Sequence, residues 1–194
     1  KTATNFEQYV KDGFYDGTIF HRVIMRYIIQ GGGYTQNYEK KLPLYDPIPN
    51  ESDNGLKNLR GTITMSRNSN DPHSATSQFF INVNDNSSLN YVADKGSFDD
   101  SSDPHWGYTV FGHIIDGQKV VDKIQREKTG KSGRKYAPKQ LIIIEKVTVE
   151  NVPVKPITTL SSTVEATHVV ETDTDDTLSA TQAENRTQPA SKSA

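Results

Sequence analysis

Residues 20–33 read Phe20-His21-Arg22-Val23-Ile24-Met25-Arg26-Tyr27-Ile28-Ile29-Gln30-Gly31-Gly32-Gly33. The β-branched Val23, Ile24, Ile28 and Ile29 favour a strand. Set among them are His21, Arg22 and Gln30, all strong hydrogen-bonding groups. Polar side chains in a buried strand cost free energy unless they are paired or face a cleft. The three glycines let the chain turn sharply, or let another segment approach its backbone closely. Either use suits the edge of a binding surface.

Other strand signals lie on the C-terminal side. Residues 61–67 alternate Ile63 and Met65 against Thr62, Thr64 and Ser66, which predicts a half-buried strand. Residues 78–83, 108–115 and 141–149 predict three more, the last with Ile142, Ile144, Val147 and Val149 inward. Helical spacing appears twice. Phe6, Tyr9 and Val10 place a helix over 2–12, capped by Thr2 or Thr4 and stopped at Gly13, and Val120, Val121 and Ile124 place one over 118–126. Asp16-Gly17 is a turn. Pro43, Pro47 and Pro49 leave 34–60 as a long loop held against the body, a length that is usually functional. Residues 68–76 and 85–103 read as polar loops, the second with room for a short helical turn, and 129–133 as a mobile basic turn. Several strands with two helices suggest a β-barrel or sandwich with helical caps. No internal repeat is found.

Composition bounds the function. Of 194 residues, 33% are hydrophobic, low for a chain folded throughout. Residues 151–194 contain no aromatic and no glycine and are rich in Thr, Ser and acidic residues. Such a tail buries too little apolar surface to offset chain entropy and is expected to be disordered, leaving 1–150 as the domain. The net charge of −2 gives no electrostatic footprint for nucleic acid. No stretch approaches the ~20 apolar residues of a membrane helix. With no cysteine, disulfides and thiolate chemistry are excluded. The five histidines show no paired metal spacing, so no metal is expected. Gly31-Gly32-Gly33 lacks the residues of a P-loop or dinucleotide fingerprint. Asp71, His73 and Ser74 lie too close in one loop to orient as a hydrolytic triad.

What remains is Arg22, Gln30, Gln78 and Asn82 in or beside apolar strands, with Tyr27, Met65, Phe79 and Phe80 as apolar wall. A shallow apolar groove with a few placed donors suits a peptide. The alternative, left open by the pattern, is core packing with Arg22 paired to a surface carboxylate.

Four ordered motifs carry a resemblance: Phe20-His21-Arg22-Val23-Ile24, Ile29-Gln30-Gly31-Gly32-Gly33, Gly61-Thr62-Ile63-Thr64-Met65 and Ser77-Gln78-Phe79-Phe80-Ile81-Asn82. In order and spacing they resemble the cyclophilin-type peptidyl-prolyl cis–trans isomerases. Residues 47–56, Met65-Ser66-Arg67 and Trp106-Gly107-Tyr108 resemble the bacterial branch. The resemblance implies a mainly β fold, an eight-stranded antiparallel barrel capped by two helices, with its groove on the outside. It implies rotation about X–Pro bonds during protein folding, without cofactor. Arg22 matches the catalytic arginine and Gln30 its positioner. Tyr27, Ile28, Phe80 and Leu89 match the proline pocket. Ser66, Arg67, Asn68 and Gln78 match the side that holds the peptide backbone, and Tyr108 the polar rim. The implied partners are proline-containing peptides and unfolded chains, bound by a monomer, with neither nucleic acid nor membrane.

The chain also departs from the family pattern. Tyr27-Ile28 replaces Phe-Met in the pocket. Met25-Arg26 replaces a turn-forming pair, and the loss of its glycine is expected to strain the turn. Ser88 stands where an aromatic lines the groove, so weak affinity for cyclosporin-like macrocycles is expected. These changes keep a second reading open, a proline-peptide binding or chaperone-like module with weak or no catalysis. The family's first two strands have no counterpart after Lys1, so the chain is expected to be a fragment of a longer one. Residues 128–135 and the insertion before Trp106 resemble the cytoplasmic bacterial form. A periplasmic location stays open, because upstream residues could hold a signal.

Overall fold

The computed structural model describes residues 1–93, 106–130 and 133–150. The tail at 151–194, the end of the 85–103 loop and the middle of the basic turn fall outside these residues. Helix α1 spans Thr2–Lys11 and α2 spans Gln118–Ile124. The strands are β1 Thr18–Ile19, β2 Arg22–Ile24, β3 Ile28–Gly31, β4 Thr62–Met65, β5 Phe79–Asn82, β6 Val110–His113 and β7 Ile143–Ile144. A 3-10 turn occupies Ser87–Leu89, within the loop that left room for one.

The opening stretch is a hairpin rather than one strand. β2 and β3 pair antiparallel, Arg22 opposite Gln30, Val23 opposite Ile29 and Ile24 opposite Ile28. Arg26 closes the turn at φ 61°. A side chain in that left-handed region costs about 1–2 kcal/mol, which is the strain expected from the missing glycine. Three contacts hold the turn. The Arg26 N–H donates to Gln125 Oε1 (3.1 Å), and the Tyr27 carbonyl accepts from Val83 N (3.0 Å) and Asn86 Nδ2 (2.9 Å).

The larger sheet runs β2-β3-β5-β4-β6, all antiparallel, and β1 pairs with β7 in a second sheet. Among the described residues the seven strands do not close into the expected eight-stranded barrel. One face of the five-stranded sheet is the core. Phe79 packs with Tyr9, Val10, Phe14 and Tyr15, while Val23 and Ile29 pack with Val83 and Val121. Helix α1 supplies Tyr9 and Val10 to the first cluster, and α2 supplies Val121 to the second.

Several local expectations are corrected. Neither Thr2 nor Thr4 caps α1. Instead the Thr2 N–H and hydroxyl both donate to Glu51 Oε2 (2.9 and 2.7 Å), and these bonds pull the Glu51 carboxyl down to about 2. Val120 and Val149 are exposed, because α2 turns only Val121 and Ile124 inward and regular pairing in the last strand ends at Ile144. Thr64, expected on an open face, is fully buried. It donates to Asn58 Oδ1 (3.0 Å) and accepts from Asn82 Nδ2 (3.1 Å), so a polar cluster covers that face. The 34–60 loop is held against the body as expected. The Tyr9 hydroxyl accepts from Leu44 N and Tyr45 N (both 3.2 Å), and Ile48 bridges to Ala75. No helix of the described residues is long and apolar enough to cross a membrane.

Candidate active site

Residues opposite one another in an antiparallel pair share a face, and the face alternates along each strand. The pairs Arg22–Gln30, Gln30–Phe80 and Ile28–Asn82 therefore put Arg22, Gln30, Ile28, Phe80 and Asn82 on the side away from the core. The same alternation carries Ser66 and Gln78 there. A cavity of about 200 Å³ opens on this face, lined by Arg22, Tyr27, Ile28, Gln30, Ser66, Arg67, Phe80, Leu89 and Tyr108. A neighbouring cavity of about 380 Å³ shares Gln30, Ser66 and Arg67 and adds Asn68 and Gln78.

Eleven of the fourteen residues singled out in the sequence line one of these two cavities, and Asn82 instead joins the buried polar cluster beside them. Met65 lines neither cavity. It pairs with Phe79 across β4 and β5, which puts it on the core face, and it is buried. Phe79, expected in the groove wall, lies in the core for the same reason. Ser88 is exposed and lines neither cavity.

Gln30 is the hub. It accepts from Arg22 Nη1 (3.1 Å) through Oε1, and its Nε2 donates to Ser66 Oγ (3.0 Å) and Gln78 Oε1 (3.1 Å). Arg22 ion-pairs with no carboxylate among the described residues, and it lines a cavity where the alternative reading placed it in core packing. Its guanidinium is therefore oriented by a neutral amide, and no described carboxylate offsets its charge in the cavity lining. Tyr27 is half-buried, and its phenol is pushed up by burial and by Tyr108 against an opposing pull from Arg22.

Arg67 lines both cavities and is fixed there by backbone carbonyls. Its N–H groups go to backbone carbonyls: Nη2 to Trp106 (2.6 Å), Nε to Gly107 (3.3 Å), Nη1 to Asn68 (2.9 Å) and Ser69 (3.3 Å). Its carbon Cζ lies 4.5 Å from the Tyr108 ring centre, and Tyr108 meets Phe80 edge-on at 5.6 Å. Arg67 thus builds the pocket wall.

Sequence reasoning missed three supports. Gly107 passes so close to residues 89–91 that an added Cβ would lie 2.4–2.6 Å from their backbone. Only glycine allows Tyr108 N to reach Leu89 O (2.9 Å) and close the pocket between them. Asn86 ties the Tyr27 carbonyl to the polar cluster through Asn82 Oδ1 (2.6 Å). Tyr136 lies beside Arg22, with Cζ 5.7 Å from its ring centre. A glycine between two aromatics was a visible signal for the first, whereas the other two depend on contacts distant in sequence.

Residues 71–74 form a self-bonded loop. Ser74 Oγ donates to the Asp71 carbonyl, and His73 Nδ1 accepts from Asn50 N, so no triad exists. Among the described residues no group of three His, Cys, Asp or Glu is placed to hold a metal.

Comparison with known proteins identifies the family. A family model described as cyclophilin type peptidyl-prolyl cis-trans isomerase matches residues 1–149. Peptidyl-prolyl cis-trans isomerase cyp18 of Streptomyces antibioticus is 52% identical over 147 residues, covering 75% of this chain and 82% of that protein. Peptidyl-prolyl cis-trans isomerase B of Escherichia coli K12 is 50% identical over 150 residues, covering 77% and 86%. Among solved structures, a Cryptosporidium parvum cyclophilin type isomerase in the presence of the dipeptide Ala-Pro superposes with a TM-score of 0.54. It is 26% identical, over 78% of this chain and 86% of that one. The chain belongs to the cyclophilin-type peptidyl-prolyl cis-trans isomerase family.

Proposed function

We propose that this chain accelerates cis–trans rotation of X–Pro peptide bonds, with Arg22 as the group that lowers the barrier. The observation that carries the reading is the Arg22 guanidinium, held by Gln30 and free of any described carboxylate, in the lining of a cavity shared with Phe80, Ile28, Tyr27 and Leu89. Amide resonance sets a barrier of ~20 kcal/mol, so uncatalysed exchange takes tens of seconds or longer. As the bond twists, the prolyl nitrogen becomes pyramidal and gains a localised lone pair. A fixed N–H donor bearing full charge binds that state better than the planar amide, and only such differential binding speeds the step. Arg suits the task because it stays protonated and its planar fork holds one geometry. The apolar wall holds the ring, while Gln30 and Ser66 are placed to hold the peptide backbone.

The substrates we propose are proline-containing peptides and unfolded chains, engaged by a monomer. With Ser88 exposed and outside both cavities, we expect weak affinity for cyclosporin-like macrocycles. The test is a protease-coupled assay on a short X-Pro peptide. The full chain should speed isomerisation and Arg22→Ala should lose most of that rate. Peptide binding without acceleration would replace catalysis by a binding module.

A further inference from the structure

Arg22 has a second neighbour besides Gln30. The Tyr136 ring centre lies 5.7 Å from its Cζ, within the range where a ring face attracts a cation. Tyr136 is held there by its backbone. Val23 N, one residue from Arg22 on β2, donates to the Tyr136 carbonyl at 2.8 Å. The flanking chain is closed by Ala137 N to Arg134 O (3.0 Å), Gly130 N to Ala137 O (2.8 Å) and a Thr129–Pro138 bridge, with Ala137 and Pro138 both buried. The main chain of Tyr136 is therefore anchored to the strand that carries Arg22, although 114 positions separate the two residues.

We infer that Tyr136 is a positioning residue for Arg22, orienting the guanidinium through its ring face. The inference rests on the reading of Arg22 as the catalytic group. The chemistry of the contact matters. A carboxylate in this place would accept two N–H bonds and cancel the charge. A ring attracts the cation through its quadrupole and accepts no in-plane N–H. Among the described residues Gln30 is the guanidinium's hydrogen-bond partner, through Nη1, and the other donors face no described acceptor that would compete with substrate. The Lys135 ammonium lies 5.1 Å from the same ring centre, so two cations share one ring where an anion would pair with them and quench the field.

The test holds shape constant and varies the quadrupole. Position 136 is replaced by Phe and by mono-, di- and trifluorinated phenylalanines in the full chain, and kcat and KM are measured for an X-Pro peptide. Tyr136→Phe should retain kcat within about twofold, and kcat should then fall stepwise with each fluorine, to about two- to fivefold in total. KM and the melting temperature should stay level, because the Val23–Tyr136 bond is main-chain. In an Arg22→Ala background the fluorine series should be flat. A flat series on the Arg22 background, with Arg22→Ala inactive, overturns this inference alone. The same slope in both backgrounds also overturns it, since the ring would then act without Arg22. An Arg22→Ala chain with full activity overturns the catalytic reading itself and this inference with it.

Discussion

Replacing Gln30 separates the orientation of Arg22 from its charge. Gln30→Ala removes the acceptor of Arg22 Nη1 and the two donor bonds to Ser66 and Gln78. Hydrogen bonds to charged groups contribute about 1.5–3 kcal/mol. If that orientation acts in the twisted state, kcat/KM should fall about 10- to 100-fold. The two neutral bonds join half-buried groups that water can reach, so the loss in stability should be only about 1–2 kcal/mol, or several degrees in melting temperature. Gln30→Glu gives the contrast. It keeps an acceptor for Arg22 but sets a carboxylate against the guanidinium, so the side chain stays ordered while its charge is neutralised. Activity should fall in this variant too, with a melting temperature close to the parent's, because the Ser66 hydroxyl and the Gln78 amide can turn to donate to the new carboxylate. The assay is protease-coupled isomerisation at low temperature, with folding checked by calorimetry. A Gln30→Ala chain that keeps kcat/KM within about twofold, or a Gln30→Glu chain as active as the parent, would refute the reasoning.

Four further outcomes follow from the structure. Burial, reinforced by Arg22 and opposed by a bond to the Ile19 backbone, holds His21 down to about 4. An unfolded histidine takes its proton near 6.5, so this contribution is full above pH 6.5 and drains as pH falls toward 4, by at most about 3 kcal/mol. Denaturant titrations across that window should show the slope, and His21→Phe should flatten it. Gly107→Ala must push Tyr108 away from Leu89, which should cost about 1–3 kcal/mol and raise KM for the peptide. Arg26→Gly relieves the left-handed turn and should raise stability by up to about 1 kcal/mol by calorimetry, gain minus the added entropy of glycine. The 380 Å³ cavity is lined by Lys40, Lys41 and Arg67 and by no carboxylate. Peptides with Glu near the proline should therefore be turned over about two- to fivefold better than those with Lys, less so in high salt, and Lys40→Glu should reverse the preference.

The fold class and the clustering of Arg22 with Gln30 were legible in the sequence, and the faces of the individual strands were less so. Arg22 and Gln30 stood out because charged and amide groups inside a β-branched run need a cleft or a partner, and the structure supplies both. Strand positions were legible from alternation. Which face each strand turned outward was not, since that depends on pairing with distant segments. Met65 and Phe79 were placed in the groove on apolarity, and the pairing of β4 with β5 sends both to the core. Thr64 was placed on an open face because its partners, Asn58 and Asn82, come from other segments. The hairpin turn was marked only by the family resemblance at Met25-Arg26, because Arg26 is a residue whose type argues against the conformation it adopts. Arg67 was matched to the peptide-holding side, and the carbonyls at 106–107 that fix it beside the cavities are visible only in three dimensions.

The central claim is that a preorganised Arg22 charge twists the prolyl amide. Exchange spectroscopy on an X-Pro peptide at equilibrium tests it most directly, because the same NMR sample reports binding by shift changes and catalysis by cis–trans exchange. The parent chain should drive exchange far faster than the uncatalysed tens of seconds. Arg22→Ala and Arg22→Lys should still bind the peptide in the Phe80–Leu89 pocket yet show exchange close to the uncatalysed rate. Persistent fast exchange in Arg22→Ala, or binding without exchange in the parent chain, would contradict the account.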